Sequence, residues 1–221
     1  MTSAVSSTAI ARPRLTFATM VAGVMLVLMI PAIINGGPFI FFDSDQYFTV
    51  GQRIFEIAFG GSGGGEAAAP APAVAASPAS DAADGELAAV AGGRLPIYSA
   101  GLYFIGTFLG LWTVALLQAL VCALLIVRFC QLAWGRLDWK PVLAIAALLS
   151  LLNGLGFHAA FMMPDVFAGC LVLALAIFLY FRPAGRIENV LLVAGAFVMA
   201  TLHTTNLLLV VSALIAALIV L

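Results

Sequence analysis

The feature that most restricts how this chain can fold is the absence of charge over long distances. No Asp, Glu, Lys or Arg occurs from Leu15 to Phe42, from Leu95 to Val127, from Pro141 to Pro164, from Val166 to Phe181, or from Asn189 to Leu221. About 20 apolar residues in a helix cross the hydrocarbon core of a bilayer. A soluble domain carries about 25% charged residues, whereas this chain has 9%, against 64% hydrophobic. Too few polar side chains are present to cover a water-facing surface. The expected fold is all-α: a polytopic transmembrane helix bundle whose main solvent is lipid. The net charge of −1 leaves no electrostatic footprint for nucleic acid. Cys122, Cys130 and Cys170 match neither a disulfide framework nor a zinc site and read as lipid-facing or helix-packing residues.

The basic residues orient the runs. Residues 1–14 end in Arg12 and Arg14, which places the N-terminus in the cytoplasm by the positive-inside rule. Residues 15–34 form a first span, retained because it ends in "IPAIINGGPF" and not in a small-residue cleavage site. Residues 35–95 form a long extracytoplasmic loop. Within it, 60–93 are built from Ala, Pro, Gly and Ser, which bury too little area to offset the entropy of ordering. Its Gly60–Gly65 run is no phosphate loop, since no Lys-Ser/Thr follows. "PIYSAGLYFIGTFLG", 96–110, has the Tyr, Phe and Gly content of an interfacial helix. A second span, 111–132, leads to the basic cytoplasmic loop 133–140. A third, 141–157, reaches an outer turn at 158–165, and a fourth, 166–181, returns to a cytoplasmic loop at 182–188. The block from Asn189 onward is interrupted by "HTTN" and is read as two spans, 189–202 and 207–221, around an outer turn at 203–206. The chain ends in "AALIVL" without a flanking charge, and the expectation is a longer protein of which this is the N-terminal portion. The predicted location is the cell's inner (plasma) membrane.

This topology gathers the polar residues on one side. Asp43, Asp45 and Tyr47 follow the first span, and Arg94 and Tyr98 flank the start of the interfacial helix. His158 and Asp165 occupy the outer turn between the third and fourth spans, and His203 and Asn206 the last one. Ionisable groups at membrane depth cost about 2.5–3.5 kcal/mol on insertion scales, although water at a helix end relieves much of that. Each has a plain structural alternative. Asp165 after Pro164 suits a helix start, His203 suits a hydrogen-bonded packing residue, Arg94 a solvated loop cation, and both tyrosines interface anchors. The pair in "DSDQY" is different. In an extended segment Asp43 and Asp45 share a face and repel unless a cation or proton lies between them. In a helix they diverge by about 200°, and only one can face a site.

The layout and these motifs resemble the GT-C superfamily of multi-pass glycosyltransferases, which use lipid-phosphate-linked sugars. "DSDQY" stands where those enzymes carry an acidic motif with a nearby Tyr in the first outer loop. "GRLPIYS", Gly93–Ser99, is similar to their basic and aromatic approach to interfacial helices, and "FMMPDVFAG" to a turn in bacterial proteins of this kind. The resemblance implies a polyprenyl-phosphate sugar as substrate and the bilayer as partner. It implies Asp43 or Asp45 as catalytic or metal-binding residue and leaves the cofactor open, a divalent metal ion being compatible with it. The Ala/Pro-rich stretch and the short chain depart from the family pattern.

On this reading one of Asp43 and Asp45 is a general base. Arg94 matches phosphate oxygens with its planar fork. Tyr47, Tyr98, His158, Asp165 and His203 complete the substrate-binding set, and the two carboxylates together could hold a hard cation. A transporter relaying ions through Asp165, His203 and Asn206 is the first alternative. A non-catalytic subunit packing a partner helix on Gly106 and Gly110 is the second.

Overall fold

A computed structural model describes residues 12–59, 96–181, 183 and 185–220. Among these, every regular element is helical. The helices are α1 (Arg12–Asn35), α2 (Phe42–Phe59), α3 (Pro96–Leu109), α4 (Leu111–Trp134), α5 (Trp139–Leu152), α6 (Leu155–Ala160), α7 (Val166–Ala176, continued by a wide turn at Ile177–Phe181), α8 (Arg186–Leu202) and α9 (Thr204–Val220).

Two of them, Thr16–Asn35 within α1 and Leu111–Trp134, are long and apolar enough to cross a membrane, and three shorter helices are strongly apolar. Outward-facing side chains are bulky hydrocarbons: Leu26, Ile34, Leu151, Leu179, Leu191 and Phe197 are all more than half exposed. A water-facing monomer rarely shows continuous apolar surface of this kind. These faces suit lipid and point to membrane association.

Polar residues gather at two places in the fold, one basic and one acidic. At the basic end, Thr16 and Thr19 of α1 share a cleft with Arg136, Asp138 and Trp139. Here Arg128 forks onto Glu188, with Nε–Oε1 at 2.5 Å and Nη2–Oε2 at 2.7 Å, while its Nη1 donates to Gln131. This bidentate pair ties α4 to the start of α8 and leaves the guanidinium satisfied. Asp138 caps α5, its carboxylate accepting from the Lys140 N–H. At the acidic end α1 stops in a Schellman arrangement: Gly36 N–H bonds to Ile33 O and Gly37 N–H to Ala32 O. Gly36, with φ +77°, supplies the left-handed residue that this motif needs.

The central helix is α4, which packs against α1, α3, α6 and α7. Its buried face carries Ala115, Ala119 and Ala123 at four-residue spacing, together with Gln118, Cys122 and Ile126. Small residues there let neighbouring backbones approach closely. The pair α2–α3 has the most extensive contact of any two helices.

Two sequence expectations differ from this fold. Residues 42–59, expected within a loop, form α2. Ser44 starts it, its Oγ accepting from the Phe41 N–H, which is half of a capping box. The Phe48, Phe55 and Tyr103 rings then pack it onto α3. The third span, expected at 141–157, is broken: α5 ends at Leu152 with Asn153 as its C-cap, Gly154 adopts φ +65°, and α6 begins at Leu155. In the last block, α8 ends at Leu202 and α9 begins at Thr204, with His203 extended between them. The Ala/Pro/Gly-rich stretch at 60–93 lies outside the described residues.

Candidate functional site

The acidic end is built by a short parallel bridge. Phe39 N–H donates to Ala160 O, and Met162 N–H donates to Phe39 O. This joins the segment between α1 and α2 to the segment between α6 and α7. The rings of Phe39, Phe157 and Phe161 cluster around the bridge, and Phe41 meets Phe161 edge-on at 6.2 Å between centroids.

Two cavities open beside this aromatic cluster. The larger, about 340 Å³, runs from a polar rim of Asn153, His158 and Asp165 down between α4 and α7 to Ile126 and Leu173. The smaller, about 180 Å³, is walled by Phe41, Phe161 and Met163. His158 and Asp165 line both. Asp165 holds the N-cap position of α7, yet its side chain makes no capping hydrogen bond. Its side chain is exposed and borders both spaces.

Behind the rim lies a buried polar tie. The Gln118 amide, 2% exposed in the middle of α4, donates from Nε2 to Tyr98 Oη and to Met163 O, both at 3.1 Å. One side chain thus links α4, the first turn of α3, and the loop that presents Asp165. Tyr98 stacks edge-on with Tyr47 of α2 at 5.3 Å and lies 6.4 Å from the Phe167 ring. Burial pushes the Tyr98 phenol far above its ordinary range. The Gln118 hydrogen bond pulls it back, and Tyr47 and the Asp165 charge push it further up. Tyr98 is a neutral hydrogen-bonding group here.

The helical conformation of α2 separates the two acids of "DSDQY". Asp43 and Tyr47 are one turn apart on the same face, with Tyr47 buried and Asp43 half-buried, whereas Asp45 is exposed. A cation held by both carboxylates requires an extended segment; on a helix the two diverge by about 200°, so only one of them can face a site. Among the described residues no group of three or more His, Cys, Asp or Glu could hold a metal ion.

The remaining candidates divide. Tyr47, Tyr98, His158 and Asp165 are brought to one end of the bundle. His203 is not part of either cavity wall; its Nδ1 accepts from the Thr205 N–H at 3.2 Å and caps α9. Asn206 is likewise structural, its Nδ2 donating to Met199 O. Arg94 lies outside the described residues. Gln118 and Asn153 were not anticipated. An isolated amide inside an apolar run is the signal that could have singled out Gln118, because at that depth it needs partners.

Compared with protein-family models, curated proteins and solved structures, the chain matches none.

Proposed function

We propose that this chain is a multi-pass inner-membrane protein of the glycosyltransferase type, which transfers a sugar from a polyprenyl-phosphate donor at the extracytoplasmic face. The observation that carries the reading is the shared use of His158 and Asp165 by two adjoining cavities, one lined by aromatic rings, beside the N-terminus of α2. A cavity of about 340 Å³ is within the range for small-molecule sites. The sugar ring stacks on Phe41 and Phe161, as carbon-bound faces of sugars do on aromatic rings. The polyprenyl tail runs along the exposed apolar helices.

Chemically, the acceptor O–H gives its proton to a carboxylate, its oxygen bonds to the anomeric carbon, and the bond from that carbon to the phosphate oxygen breaks with inversion. Asp165 is the better-placed base because its carboxylate borders both cavities and is not used as a cap. Neither Asp43 nor Asp45 lines the two cavities; Asp43, on the Tyr47 face of α2, is the nearer candidate of the pair for a supporting role. His158 donates a hydrogen bond to the departing phosphate. The Tyr98–Gln118 tie holds the Met163–Asp165 segment in place.

The transporter reading needs a relay from Asp165 through His203 to Asn206. His203 and Asn206 are engaged with the backbone at the α8–α9 junction, which disfavours it.

The test is sugar transfer in membrane vesicles supplied with a radiolabelled polyprenyl-phosphate sugar. Asp165→Asn is expected to lower the rate by about 10²-fold or more, the usual contribution of a general base. Asp43→Asn is expected to lower it less, and Asp45→Asn to leave it within about 2-fold. Full transfer by Asp165→Asn and Asp43→Asn alike rejects the assignment.

A further inference from the structure

The larger cavity passes sulfur on its way into the bundle. Cys122, in the middle of α4, and Cys170, near the start of α7, face each other with Sγ atoms 3.4 Å apart. Both belong to the cavity wall, although neither is more than 5% exposed. Cysteines in apolar packing ordinarily meet carbon and behave as small hydrophobes. These two meet each other across a helix interface and beside open space that leads to the polar rim. Reaching the disulfide S–S length of about 2.05 Å requires a closure of roughly 1.4 Å. Cys130, further along the same face of α4, is buried but has no place in this wall.

We propose that Cys122 and Cys170 form a dithiol modification site, reached through the cavity beside His158 and Asp165 and open to small two-electron oxidants of the disulfide class. One cysteine, as thiolate, attacks the reagent disulfide, giving a mixed disulfide and one released reagent thiol. The second cysteine then attacks the protein-side sulfur of that mixed disulfide and expels the second reagent thiol. The two protein sulfurs are oxidised, the reagent is reduced, and the two cysteine protons end on the two released thiols. The product is a covalent link between α4 and α7 partway down the cavity. The proposal rests on the sulfur geometry and the cavity alone, and it stands or falls independently of sugar transfer.

The experiment treats the folded full chain in detergent with 4,4′-dithiodipyridine, a small uncharged disulfide that releases a chromophoric thiopyridone. Peptide mapping is expected to find Cys122 joined to Cys170, with two thiopyridones released per linked pair and no pyridyl adduct on either cysteine. Cys130→Ala is expected to leave that link unchanged. Cys170→Ala, or Cys170→Ser should the alanine variant fold poorly, is expected to leave Cys122 carrying the adduct. The proposal is overturned if both thiols stay unreacted in the folded protein while reacting after denaturation. It is equally overturned if each retains its own adduct without forming the link.

Discussion

Gln118 is the residue on which the site's geometry turns. Its Nε2 has two acceptors, Tyr98 Oη and Met163 O, while its Oε1 is buried without a hydrogen-bond partner. Replacing the amide with a hydrocarbon removes that orphaned oxygen but strips the Met163 carbonyl of its donor. Leaving a buried polar group unsatisfied costs about 1–3 kcal/mol. Gln118→Leu is therefore expected to lower the thermal unfolding midpoint in detergent. Tyr98→Phe is expected to lower it less, because Gln118 keeps Met163 and the ring keeps its contact with Tyr47. A Gln118→Leu midpoint at or above wild type would mean that the tie does not hold the loop. Asp43 and Asp45 carry the corresponding lesson about legibility. Their spacing is compatible with a shared face or with opposite faces, and only the backbone conformation decides. That conformation depends on the Ser44–Phe41 cap and on ring packing with Tyr103, a residue far along the chain.

At the scale of elements, the α2–α3 contact brings Tyr47 to Tyr98. It turns on Gly51, where an added Cβ would lie 2.1 Å from Ser99 O and 2.6 Å from Tyr103 Cβ. Backbone oxygen cannot rotate aside, so Gly51→Ala must push the helices apart, and overpacking of this kind costs about 1–3 kcal/mol. Gly101→Ala, in the same α3, meets nothing within 4 Å and gains about 0.5–1 kcal/mol of helix propensity. The two substitutions should move the unfolding midpoint in opposite directions, and a neutral Gly51→Ala would show that the helices do not approach so closely. This pairing also explains why α2 was not legible as a helix. Its sequence mixes Asp, Gln, Arg and Glu with aromatic residues, and the surface that makes it helical arrives only with residues 96–109. The apolar runs were legible because lipid acts on every residue locally, whereas Gly154 breaks one such run at a backbone turn that hydropathy does not register.

For the whole molecule, the account depends on two ends with different chemistry. Arg136 and Lys140 mark one, and Asp45, His158 and Asp165 mark the other, with α1 and α4 long and apolar enough to separate them across a bilayer. The same long-range assembly limited what could be read of the site. His158 and Asp165 were recognisable as neighbours at one turn, but the Gln118 bonds and the Cys122–Cys170 contact join positions far apart in sequence. His203 lines neither cavity. The most direct test of the central claim is sidedness. Single cysteines would be placed at Asp45, Asp165 and Trp139, all exposed, in a background with Cys122, Cys130 and Cys170 changed to Ala. Intact cells would then be exposed to a membrane-impermeant maleimide. The account predicts labelling of Asp45→Cys and Asp165→Cys from outside, with Trp139→Cys labelled only after lysis. Labelling of Asp45→Cys and Asp165→Cys from opposite sides, or of both only after lysis, would contradict it.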